Sequence, residues 1–396
     1  MEEKFSFLNR SLSLFNEDIN SNSDFLNNTI QDSRFLIIGG AGSIGSAVAK
    51  EIFSRNPRLL HVVDLSENNL VEVVRDIRSS FGYVSGEFKT FALDCGSPEF
   101  VKLLQNYDYD YVFNLSALKH VRSEKDPFTM SRMVKVNIIN TLNIYASLKE
   151  SDSLKKYFCV STDKAANPAN FMGASKRLME KVLFTESSRS QPVSLARFAN
   201  VAFSDGSLLK SFEMRIEKKQ PLVAPIDIER YFINQKESGE LCLLSGLLAS
   251  NNEIIFPKIS DAISLVNLAE VAKSYLHMRG FKPLLVDSED EARSIKINGN
   301  NSKEWPCFFF QSDTSGEKSF EEFFTKNEDV DLNRFHSLGV IKQTNFESTS
   351  FNEFITEYDK LSEKNDPSKS DFILLLQSFV PEFLHNEKGK NLDDKM

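Results

Sequence analysis

The chain has 396 residues, of which 41% are hydrophobic and 26% charged, proportions that are ordinary for a globular protein with a full core. Its 56 acidic and 47 basic side chains give a net charge of −9, which argues against a nucleic-acid polyanion as the main partner. The four cysteines lie far apart without CxxC spacing, which indicates buried thiols rather than a disulfide framework or a zinc site. The start is acidic and no window of about 18 apolar residues is present, so we expect neither a signal peptide nor a membrane span. These features predict a cytoplasmic protein without membrane insertion.

The first 32 residues are polar and contain one short amphipathic piece. Its apolar side chains, Phe5, Leu8, Leu12 and Phe15, have helical spacing. The spacing predicts a single helix that docks on the rest of the protein.

From Arg34 onward, buried-strand patterns alternate with helical patterns. The predicted strands are RFLIIGG, LLHVVDL, FKTFALD, YVFNLSA, KYFCVST and VSLARF. The predicted helices are SIGSAVAKEIFSR, LVEVVRDIRSSF, SPEFVKLLQNY, a long helix near residues 129 to 149 and a helix from about Ala174. Strands separated by helices are typical of βαβ units, so the sequence predicts a Rossmann-type, doubly wound parallel sheet of the α/β class.

The alternation loosens after Asn200. There, QPLVAPIDIERYFINQKESGELCLLSGLL predicts a strand, a loop and a helix, and SLVNLAEVAKSYLHMRG predicts a further helix. Later in the chain, GEKSFEEFFT and DFILLLQSFVPEFL predict helices that pack on the main body.

A glycine-rich turn follows the first predicted strand and opens the next helix. In GGAGSIG, Gly40, Gly42 and Gly45 have the spacing GxGxxG, and Gly39 precedes them. Glycines permit a tight turn and let backbone N–H groups approach a pyrophosphate, although helix-packing glycines alone would give the same letters. Asp64 ends the second strand, 64 − 45 = 19 residues later, close to the spacing of about 20 at which an acid meets the adenosine ribose. Because a carboxylate repels a 2′-phosphate and the following LSENN supplies no cation, the site favours NAD over NADP.

This cofactor site suggests how the chain is divided. We expect an N-terminal helical arm over residues 1–32 and an NAD-binding Rossmann domain over 33–199. A smaller substrate-binding domain is expected over 200–330, with part of 230–280 returning to the large sheet. Residues 331–396 are expected to form a helical C-terminal extension.

Several strings along the chain carry a family resemblance. GGAGSIG, NLSALKHV, KVNIINT, STDKAANPANFMGASK, RFANV and ERYF occur in the order found in extended short-chain dehydrogenases/reductases. More closely, the chain resembles the UDP-N-acetylglucosamine 4,6-dehydratases of polysaccharide biosynthesis, over roughly residues 34 to 280. The resemblance implies oxidation at C4 of UDP-N-acetylglucosamine, loss of water across C5 and C6, and return of the hydride to C6. The implied product is UDP-2-acetamido-2,6-dideoxy-D-xylo-4-hexulose, a precursor for surface polysaccharide or another glycan.

The resemblance assigns the chemistry to three consecutive residues. It implies that Thr162 hydrogen-bonds O4, Asp163 protonates the departing C6 hydroxyl and Lys164 removes the C5 proton. Outside this context, Asp163 and Lys164 would be a solvated ion pair at a strand end. The short-chain dehydrogenase pattern has a Tyr four residues before Lys176, but here Met172 stands at that position and cannot carry a proton. The sequence is therefore similar to the form of the family with Met in place of the Tyr.

The fingerprint and the resemblance together nominate residues for each ligand. For NAD they are Gly39, Gly42, Ser43, Ile44, Gly45, Asp64, Asp94, Cys95, Ser116, Ala117, Asn137 and Lys176. For the UDP-sugar substrate they are Lys119, His120, Met172, Asn200 and Arg230. Asp94 would otherwise be a turn former, Asn137 a structural helix residue and Arg230 part of a surface salt bridge. His120 has no companion with ligand spacing, so no metal is expected. A homo-oligomer is expected from the resemblance.

Two other functions stay open from the sequence. A nucleotide-sugar 4-epimerase would share the fold and NAD, but it would need the Tyr that Met172 replaces. A catalytically silent protein that binds NAD or a sugar nucleotide would also lack the Tyr, but would not need Thr162, Asp163, Lys164 and Lys176 together.

Overall fold

The computed structural model describes residues 10, 12–148, 151–187, 191–260, 263, 265–297, 303–313, 315–343 and 350–387. The strands within these ranges are β1 (Arg34–Ile38), β2 (Leu59–Asp64), β3 (Glu87–Ala92), β4 (Tyr111–Asn114), β5 (Lys156–Thr162), β6 (Val193–Phe198), β7 (Asn200–Val201), β8 (Leu222–Pro225), β9 (Glu229–Arg230), β10 (Phe232–Ile233), β11 (Glu253–Pro257), β12 (Val266–Asn267), β13 (Lys282–Val286), β14 (Glu304–Phe310), β15 (Asp329–Asp331) and β16 (Leu338–Lys342). The helices are α1 (Asn16–Ser21), α2 (Ser23–Gln31), α3 (Ser43–Phe53), α4 (Glu67–Phe81), α5 (Pro98–Asn106), α6 (Pro127–Val134), α7 (Thr141–Leu148), α8 (Phe171–Glu186), α9 (Leu208–Glu217), α10 (Gln235–Leu248), α11 (Leu268–Met278), α12 (Glu289–Ser294), α13 (Phe351–Ser362) and α14 (Lys369–Phe379).

The large sheet has the strand order β3-β2-β1-β4-β5-β6-β11-β16-β15. The strands from β3 to β11 are parallel, and β16 and β15 extend the sheet as antiparallel strands. Strand β1 is apolar and buried after Arg34, and β6 is buried along its whole length, as expected of a parallel sheet covered by helices. The strand order reverses between β1 and β4, which opens a crevice at their carboxyl ends. The predicted Rossmann-type α/β fold is confirmed.

Two predictions about helices need correction. The long helix predicted near residues 129 to 149 is present as α6 and α7, but a π-helical segment, Lys135–Asn140, joins them. The helix predicted over GEKSFEEFFT is wrong, because residues 315–328 contain no helix. Arginine side chains bind carbonyl groups of this segment, at Lys318, Ser319 and Phe323, that a helix would use internally.

The N-terminal arm and the C-terminal extension also differ from the predicted domain organisation. The N-terminal arm contains two short helices, α1 and α2, rather than one, and Phe5 and Leu8 lie outside the described residues. The extension after residue 331 is helical only in part, since β16 joins the large sheet beside β11 before α13 and α14 begin. A segment within 230–280, strand β11, does return to the large sheet. The domain boundaries themselves stay a prediction.

The apolar core consists of two clusters. The larger one surrounds the nine-stranded sheet and includes side chains from α2, α8 and α14. The smaller one joins α9 and α11 to the three-stranded sheet β13-β14-β8, with Phe212, Leu222 and Trp305 among its buried members. The carboxyl edge of the large sheet and elements of the smaller cluster enclose a deep cavity.

Two further features concern expectations from composition. Cys95, Cys159, Cys242 and Cys307 are all free thiols, and the last three are buried. Among the described residues, no helix has the length and apolar character needed to cross a bilayer.

Candidate active site

The cavity has a volume of about 690 Å³ and lies at the carboxyl ends of β1, β4 and β5. With one exception, the structure brings all of the nominated residues to its wall. They are Gly39, Gly42, Ser43, Ile44, Gly45, Asp64, Asp94, Cys95, Ser116, Ala117, Lys119, His120, Thr162, Asp163, Lys164, Met172, Lys176, Asn200 and Arg230. The exception is Asn137.

The glycine-rich turn forms one end of the cavity. Gly39 has a φ of 76°, and a Cβ atom there would lie 2.8 Å from the backbone nitrogen of Ser116. A Cβ atom on Gly45 would collide with the Gly39 carbonyl, so the start of α3 must sit directly against the turn. At Gly42, by contrast, a Cβ would approach only the Gly39 oxygen, at 3.7 Å. The turn therefore leaves an open approach to the N-terminus of α3, where a pyrophosphate fits.

Asp64 supports this turn from the end of β2. Its Oδ2 accepts a hydrogen bond from the backbone nitrogen of Ala41 at 2.9 Å, and its Oδ1 accepts one from Ser66 at 2.9 Å. The carboxylate also contributes to the cavity wall. A carboxylate fixed beside the glycine turn suits a ribose hydroxyl, so these residues fit a dinucleotide with an unmodified 2′-hydroxyl.

Asp94 and Cys95 form the neighbouring part of the wall. The Asp94 carboxylate accepts hydrogen bonds from the backbone of Gly96 and from Arg132, at 2.8 and 3.2 Å, and these contacts lower its pKa. Burial raises the pKa of the Cys95 thiol, which lies 3.8 Å from the Ser116 hydroxyl. Asp94 is thus both a turn former and a wall residue.

The catalytic candidates follow β5 directly. Thr162 ends the strand, and Asp163–Ala165 form a short 3₁₀ helix. The Thr162 hydroxyl donates to Asp163 Oδ1 at 2.9 Å, and Lys164 Nζ donates to the same oxygen at 3.0 Å. Asp163 is only 3% exposed, so the ion pair is a buried one and not the solvated pair of the alternative interpretation.

Helix α8 presents Met172 and Lys176 to the cavity one turn apart. The Asn170 side chain caps the helix by accepting from the backbone of Gly173 at 2.8 Å. The Met172 backbone nitrogen donates to the buried Glu124 carboxylate at 3.2 Å. Lys176 Nζ donates to the Val160 carbonyl at 3.1 Å, and burial lowers the pKa of Lys176 to about 8.

Asn137 does not line the cavity and lies behind its wall. It is fully buried in the π-helical segment and exchanges hydrogen bonds with the backbone N–H and C=O of Leu118, at 2.8 and 3.0 Å. Its amide also donates to the Ser175 hydroxyl at 3.0 Å. Asn137 thereby fixes the loop before Lys119 to the helix that carries Lys176. This geometry gives no support to Asn137 as a direct cofactor ligand.

The nominated substrate residues also line the cavity. Lys119 and His120 are exposed to it, and exclusion of water by the surrounding protein lowers the pKa of both. Asn200 lies in β7, and its backbone nitrogen donates to the Tyr231 carbonyl at 3.0 Å. Arg230 is 6% exposed, and its guanidinium donates to the carbonyls of Lys318 and Ser319 at 3.0 and 3.2 Å. Arg230 is therefore a buried wall residue that also holds the 315–328 segment.

Sequence reasoning missed three acidic residues that line the cavity, Asp205, Glu317 and Glu321. Asp205, in the loop after β7, accepts a hydrogen bond from the Ser43 hydroxyl at 2.8 Å. Glu321, in the segment taken for a helix, is 3% exposed and approaches Lys164 Nζ to 3.8 Å. Buried Glu321 and Phe323 alternate with exposed Glu322, which is the period of an extended chain. This alternation is a feature of the structure, because two adjacent glutamates do not show in the sequence which one points inward.

Two sets of contacts hold the 315–328 segment at the site. Arg197 is fully buried and pairs with both oxygens of Glu180 and of Glu328, at 2.7 to 3.0 Å. The chain near its last described residues binds the loop between β5 and α8, since Asn386 donates to the Ala169 carbonyl and accepts from the Gly316 nitrogen. Both sides of the cavity are therefore tied to one another.

Within the parts of the chain that the structure describes, no group of three or more His, Cys, Asp or Glu side chains is arranged to hold a metal ion.

Comparison with solved structures supports the fold. Pen from Bacillus thuringiensis matches with a TM-score of 0.65 and 20% identity, over 89% of this chain and 98% of that one. WbmF from Bordetella bronchiseptica, described in complex with NAD+ and UDP, matches with a TM-score of 0.51 and 18% identity, over 72% of this chain and 85% of that one.

Three curated proteins match this chain with 27 to 30% identity and differ in how much of their own length the match covers. A Methanocaldococcus jannaschii protein named uncharacterized membrane protein MJ1061 is 30% identical over 80% of this chain and 87% of its own length. EpsC of Bacillus subtilis, a probable polysaccharide biosynthesis protein, is 28% identical over 85% of this chain, which spans only 52% of EpsC. The inverting UDP-N-acetylglucosamine 4,6-dehydratase of Campylobacter jejuni is 27% identical over 67% of this chain and 78% of its own.

A family model described as polysaccharide biosynthesis protein matches residues 35–343, which include every nominated site residue. The match runs from the first strand of the large sheet through its antiparallel edge at β16. The chain therefore belongs to the polysaccharide biosynthesis protein family.

Proposed function

We propose that the protein is an NAD-dependent nucleotide-sugar 4,6-dehydratase that acts on UDP-N-acetylglucosamine. One observation carries the proposal: Thr162, Asp163 and Lys164 share a cavity with a dinucleotide-type glycine turn and with Lys176. An enzyme that oxidises a sugar and then eliminates water needs an acid, a base and a hydride carrier around one substrate. The similarity to the Campylobacter dehydratase, an inverting enzyme, supports 4,6-dehydration of a UDP-sugar, while the proposed D-xylo product differs from that enzyme in the outcome at C5.

The cofactor in this proposal is NAD. The open approach to the α3 N-terminus and the fixed Asp64 carboxylate suit its pyrophosphate and ribose. When bound, NAD accepts the hydride from C4 and returns it to C6. Lys176, which lines the cavity one helical turn from Met172, is assigned to the nicotinamide ribose, as the family resemblance implies.

The elimination is assigned to the buried pair Asp163 and Lys164. In the proposal Asp163 protonates the departing C6 hydroxyl and Lys164 faces the C5 proton. The 4-keto group formed in the first step acidifies that C5 proton. The D-xylo product is proposed because Met172 occupies the position of the missing Tyr.

The C4 hydroxyl still needs a route for its proton without the Tyr. The Thr162 hydroxyl already donates to Asp163 at 2.9 Å, which gives O4 a hydrogen-bonded path to a carboxylate. Asp163 then carries a proton when the C6 hydroxyl needs one, so one group serves both steps. Replacing Asp163 by Asn is expected to abolish the first oxidation, measured as no transient NADH absorbance after mixing with UDP-N-acetylglucosamine. NADH formation by that variant would contradict the proposal that Asp163 first accepts the O4 proton and then protonates the C6 hydroxyl.

A 4-epimerase is the second candidate, because UDP-glucose 4-epimerases of Rickettsia are 26% identical over 68% of this chain. Met172 disfavours it, since its thioether cannot exchange a proton with the C4 hydroxyl. A protein that binds NAD or a sugar nucleotide without chemistry is the third.

Mass spectrometry distinguishes these functions. The protein is incubated with NAD and UDP-N-acetylglucosamine, and the nucleotide sugar is analysed by chromatography coupled to mass spectrometry. A product lighter by one water is expected. A product of unchanged mass and altered retention would indicate the epimerase, and unchanged substrate would contradict both enzymes.

The proposal also includes a cytoplasmic location, because the substrate and NAD are cytoplasmic metabolites, and a homo-oligomeric state. Light scattering coupled to size-exclusion chromatography measures the second of these.

A further inference from the structure

Glu321 is a buried carboxylate in the cavity that the proposed chemistry leaves without a role. It is 3% exposed, yet its Oε2 has no hydrogen-bond partner in the structure. Its Oε1 lies 3.8 Å from Lys164 Nζ. Leaving a buried carboxylate oxygen without a hydrogen bond is costly, so a residue with such an oxygen at a cavity wall is a candidate for function.

Four charged groups face Glu321. Asp163 and Lys164 come from the segment after β5, Arg230 comes from β9, and Lys318 comes from its own segment with Nζ 3.8 Å from Oε2. Burial raises the pKa of Glu321, an effect that the Lys164 ammonium opposes and the Asp163 carboxylate reinforces. A carboxyl group whose pKa is moved toward neutrality is a better proton acceptor than an ordinary glutamate.

The same geometry presents a difficulty for Lys164 as the sole base. Its ammonium lies between two carboxylates, at 3.0 Å from Asp163 and 3.8 Å from Glu321, so both of its charged neighbours are proton acceptors. An ammonium has no lone pair with which to take a proton from C5. Lys164 therefore needs a neighbour that removes one of its protons as the C5 proton arrives.

We propose that Glu321 receives the C5 proton through Lys164. The Lys164 ammonium gives one proton to the Glu321 carboxylate and takes one from C5, so that it remains an ammonium before and after the step. The C5–H electron pair passes into the substrate, and the C6–O bond breaks as Asp163 protonates the leaving hydroxyl. When the hydride returns to C6, Glu321 gives its proton back through Lys164 to C5. No oxidant or further reactant is needed beyond those of the proposed function, on which this inference rests.

The 3.8 Å separation is longer than a hydrogen bond. A rotation of either side chain or closure of the cavity around substrate would shorten it, and catalytic contacts commonly tighten in this way when substrate binds. Glu321 acts through Lys164 and is a positioning residue in this sense. Its effect is therefore separable from C4 oxidation, in which it has no part.

The test compares Glu321→Gln with Glu322→Gln, a matched change at the adjacent, exposed glutamate. Exchange of the C5 proton with D₂O and formation of NADH are measured from pH 5 to 9 with UDP-N-acetylglucosamine. In Glu321→Gln, exchange at neutral pH is expected to fall on the order of 100-fold, while NADH formation and NAD affinity stay within about twofold. Exchange by this variant should then rise about tenfold per pH unit, because only solvent can remove the Lys164 proton.

The native protein and Glu322→Gln should share a different profile. Their exchange is expected to be flat through neutral pH and to fall on the acid side as Glu321 takes up a proton. Glu321→Asp should keep this acid limb with a reduced rate. Exchange by Glu321→Gln within about threefold of native at neutral pH, or an equal loss of NADH formation and exchange at every pH, would overturn the inference. If the native protein neither forms NADH nor loses water, it is the proposed function that has failed.

Discussion

Lys176 illustrates, at the scale of single residues, how a functional position costs stability. Its ammonium is 4% exposed and burial lowers its pKa to about 8, although the thiol of Cys159 and the carboxylate of Glu180 oppose the shift. The unfolded chain therefore binds more protons than the folded one between about pH 8 and 10.4, and this residue makes the protein more stable as pH rises through that window. Below about pH 8, the buried Lys176 ammonium lowers the free energy of unfolding by an amount that no longer changes with pH.

Replacing Lys176 by Met is expected to raise the free energy of unfolding at pH 7 by about 1–3 kcal/mol. The loss of the hydrogen bond to Val160 offsets part of the gain. The proposed dehydratase activity should be lost at the same time, because the proposed contact of Lys176 with the nicotinamide ribose disappears. Denaturant unfolding at pH 7 and pH 10 measures the effect, and the advantage of the variant should shrink at the higher pH. A variant that is less stable than the native protein at pH 7 would contradict the argument.

Asp64 has a structural role in the glycine turn and a proposed role at the adenosine ribose, and the Asp64→Asn variant distinguishes the two. Its oxygens hold the backbone of Ala41 and Ser66, and the same carboxylate faces the ribose site. Asp64→Asn keeps an acceptor for one backbone contact but removes the charge that repels a 2′-phosphate. The ratio of NADP to NAD dissociation constants, measured by titration calorimetry, should fall toward one. Equal affinity of the native protein for both cofactors would refute the role of Asp64.

At the scale of elements, the buried arginine Arg197 joins β6, α8 and the segment before β15. Removing it leaves the carboxylates of Glu180 and Glu328 buried without their main partner. Arg197→Ala is therefore expected to lower the free energy of unfolding by about 3–5 kcal/mol. Arg75→Ala, which breaks only an exposed pair with Glu72, should cost less than about 1 kcal/mol. Chemical denaturation of both variants makes the comparison, and similar losses would contradict it.

The same elements explain where sequence interpretation succeeded. The strand RFLIIGG contains a continuous apolar run, and VSLARF is apolar at four of its six positions, which is typical of a buried parallel strand. The segment 316–325 has the residue pattern of an amphipathic helix, but arginine side chains bind its carbonyl groups. Arg197 lies 126 residues before Phe323, and Arg230 lies 88 residues before Lys318, so neither contact is visible in the local pattern. Long-range side-chain contacts of this kind have no local signature, and Glu321 was missed for this reason.

The candidate site was predicted more completely than the elements around it. The glycine turn, Asp64 and Thr162 to Lys164 follow strand ends, and parallel strands bring such positions to one edge. Asn137 was the exception, because a helix pattern does not reveal the π-helical turn that moves its amide toward Leu118.

At the scale of the whole molecule, acid stability depends on charge pairs that link distant parts of the chain. Burial alone would raise the pKa of Glu328, but the guanidinium groups of Arg197 and Arg177 outweigh it and hold that pKa at about 2. The folded pKa lies below the unfolded value of about 4.3, so the stabilisation is present above that pH and is lost on acidification toward pH 2.

The free energy of unfolding should therefore fall by about 2–3 kcal/mol on account of Glu328 between pH 5 and pH 2. Glu328→Gln removes the titrating group and should flatten this part of the profile while lowering stability at neutral pH. Urea unfolding at several pH values measures both. An identical acid dependence in the variant would show that other groups dominate.

The contacts of Asn386 with Ala169 and Gly316 bear on how the protein is made. A chain emerges from the ribosome N-terminus first, and the parallel strands β1 to β6 are released long before this stretch. The loop that follows Thr162 can form its contact with Asn386 only after more than two hundred further residues have been synthesised, and this contact joins the two sides of the cavity. Chains truncated before residue 386 should lack these contacts and lose most of the proposed loss of water from UDP-N-acetylglucosamine, while NAD binding at the glycine turn is retained.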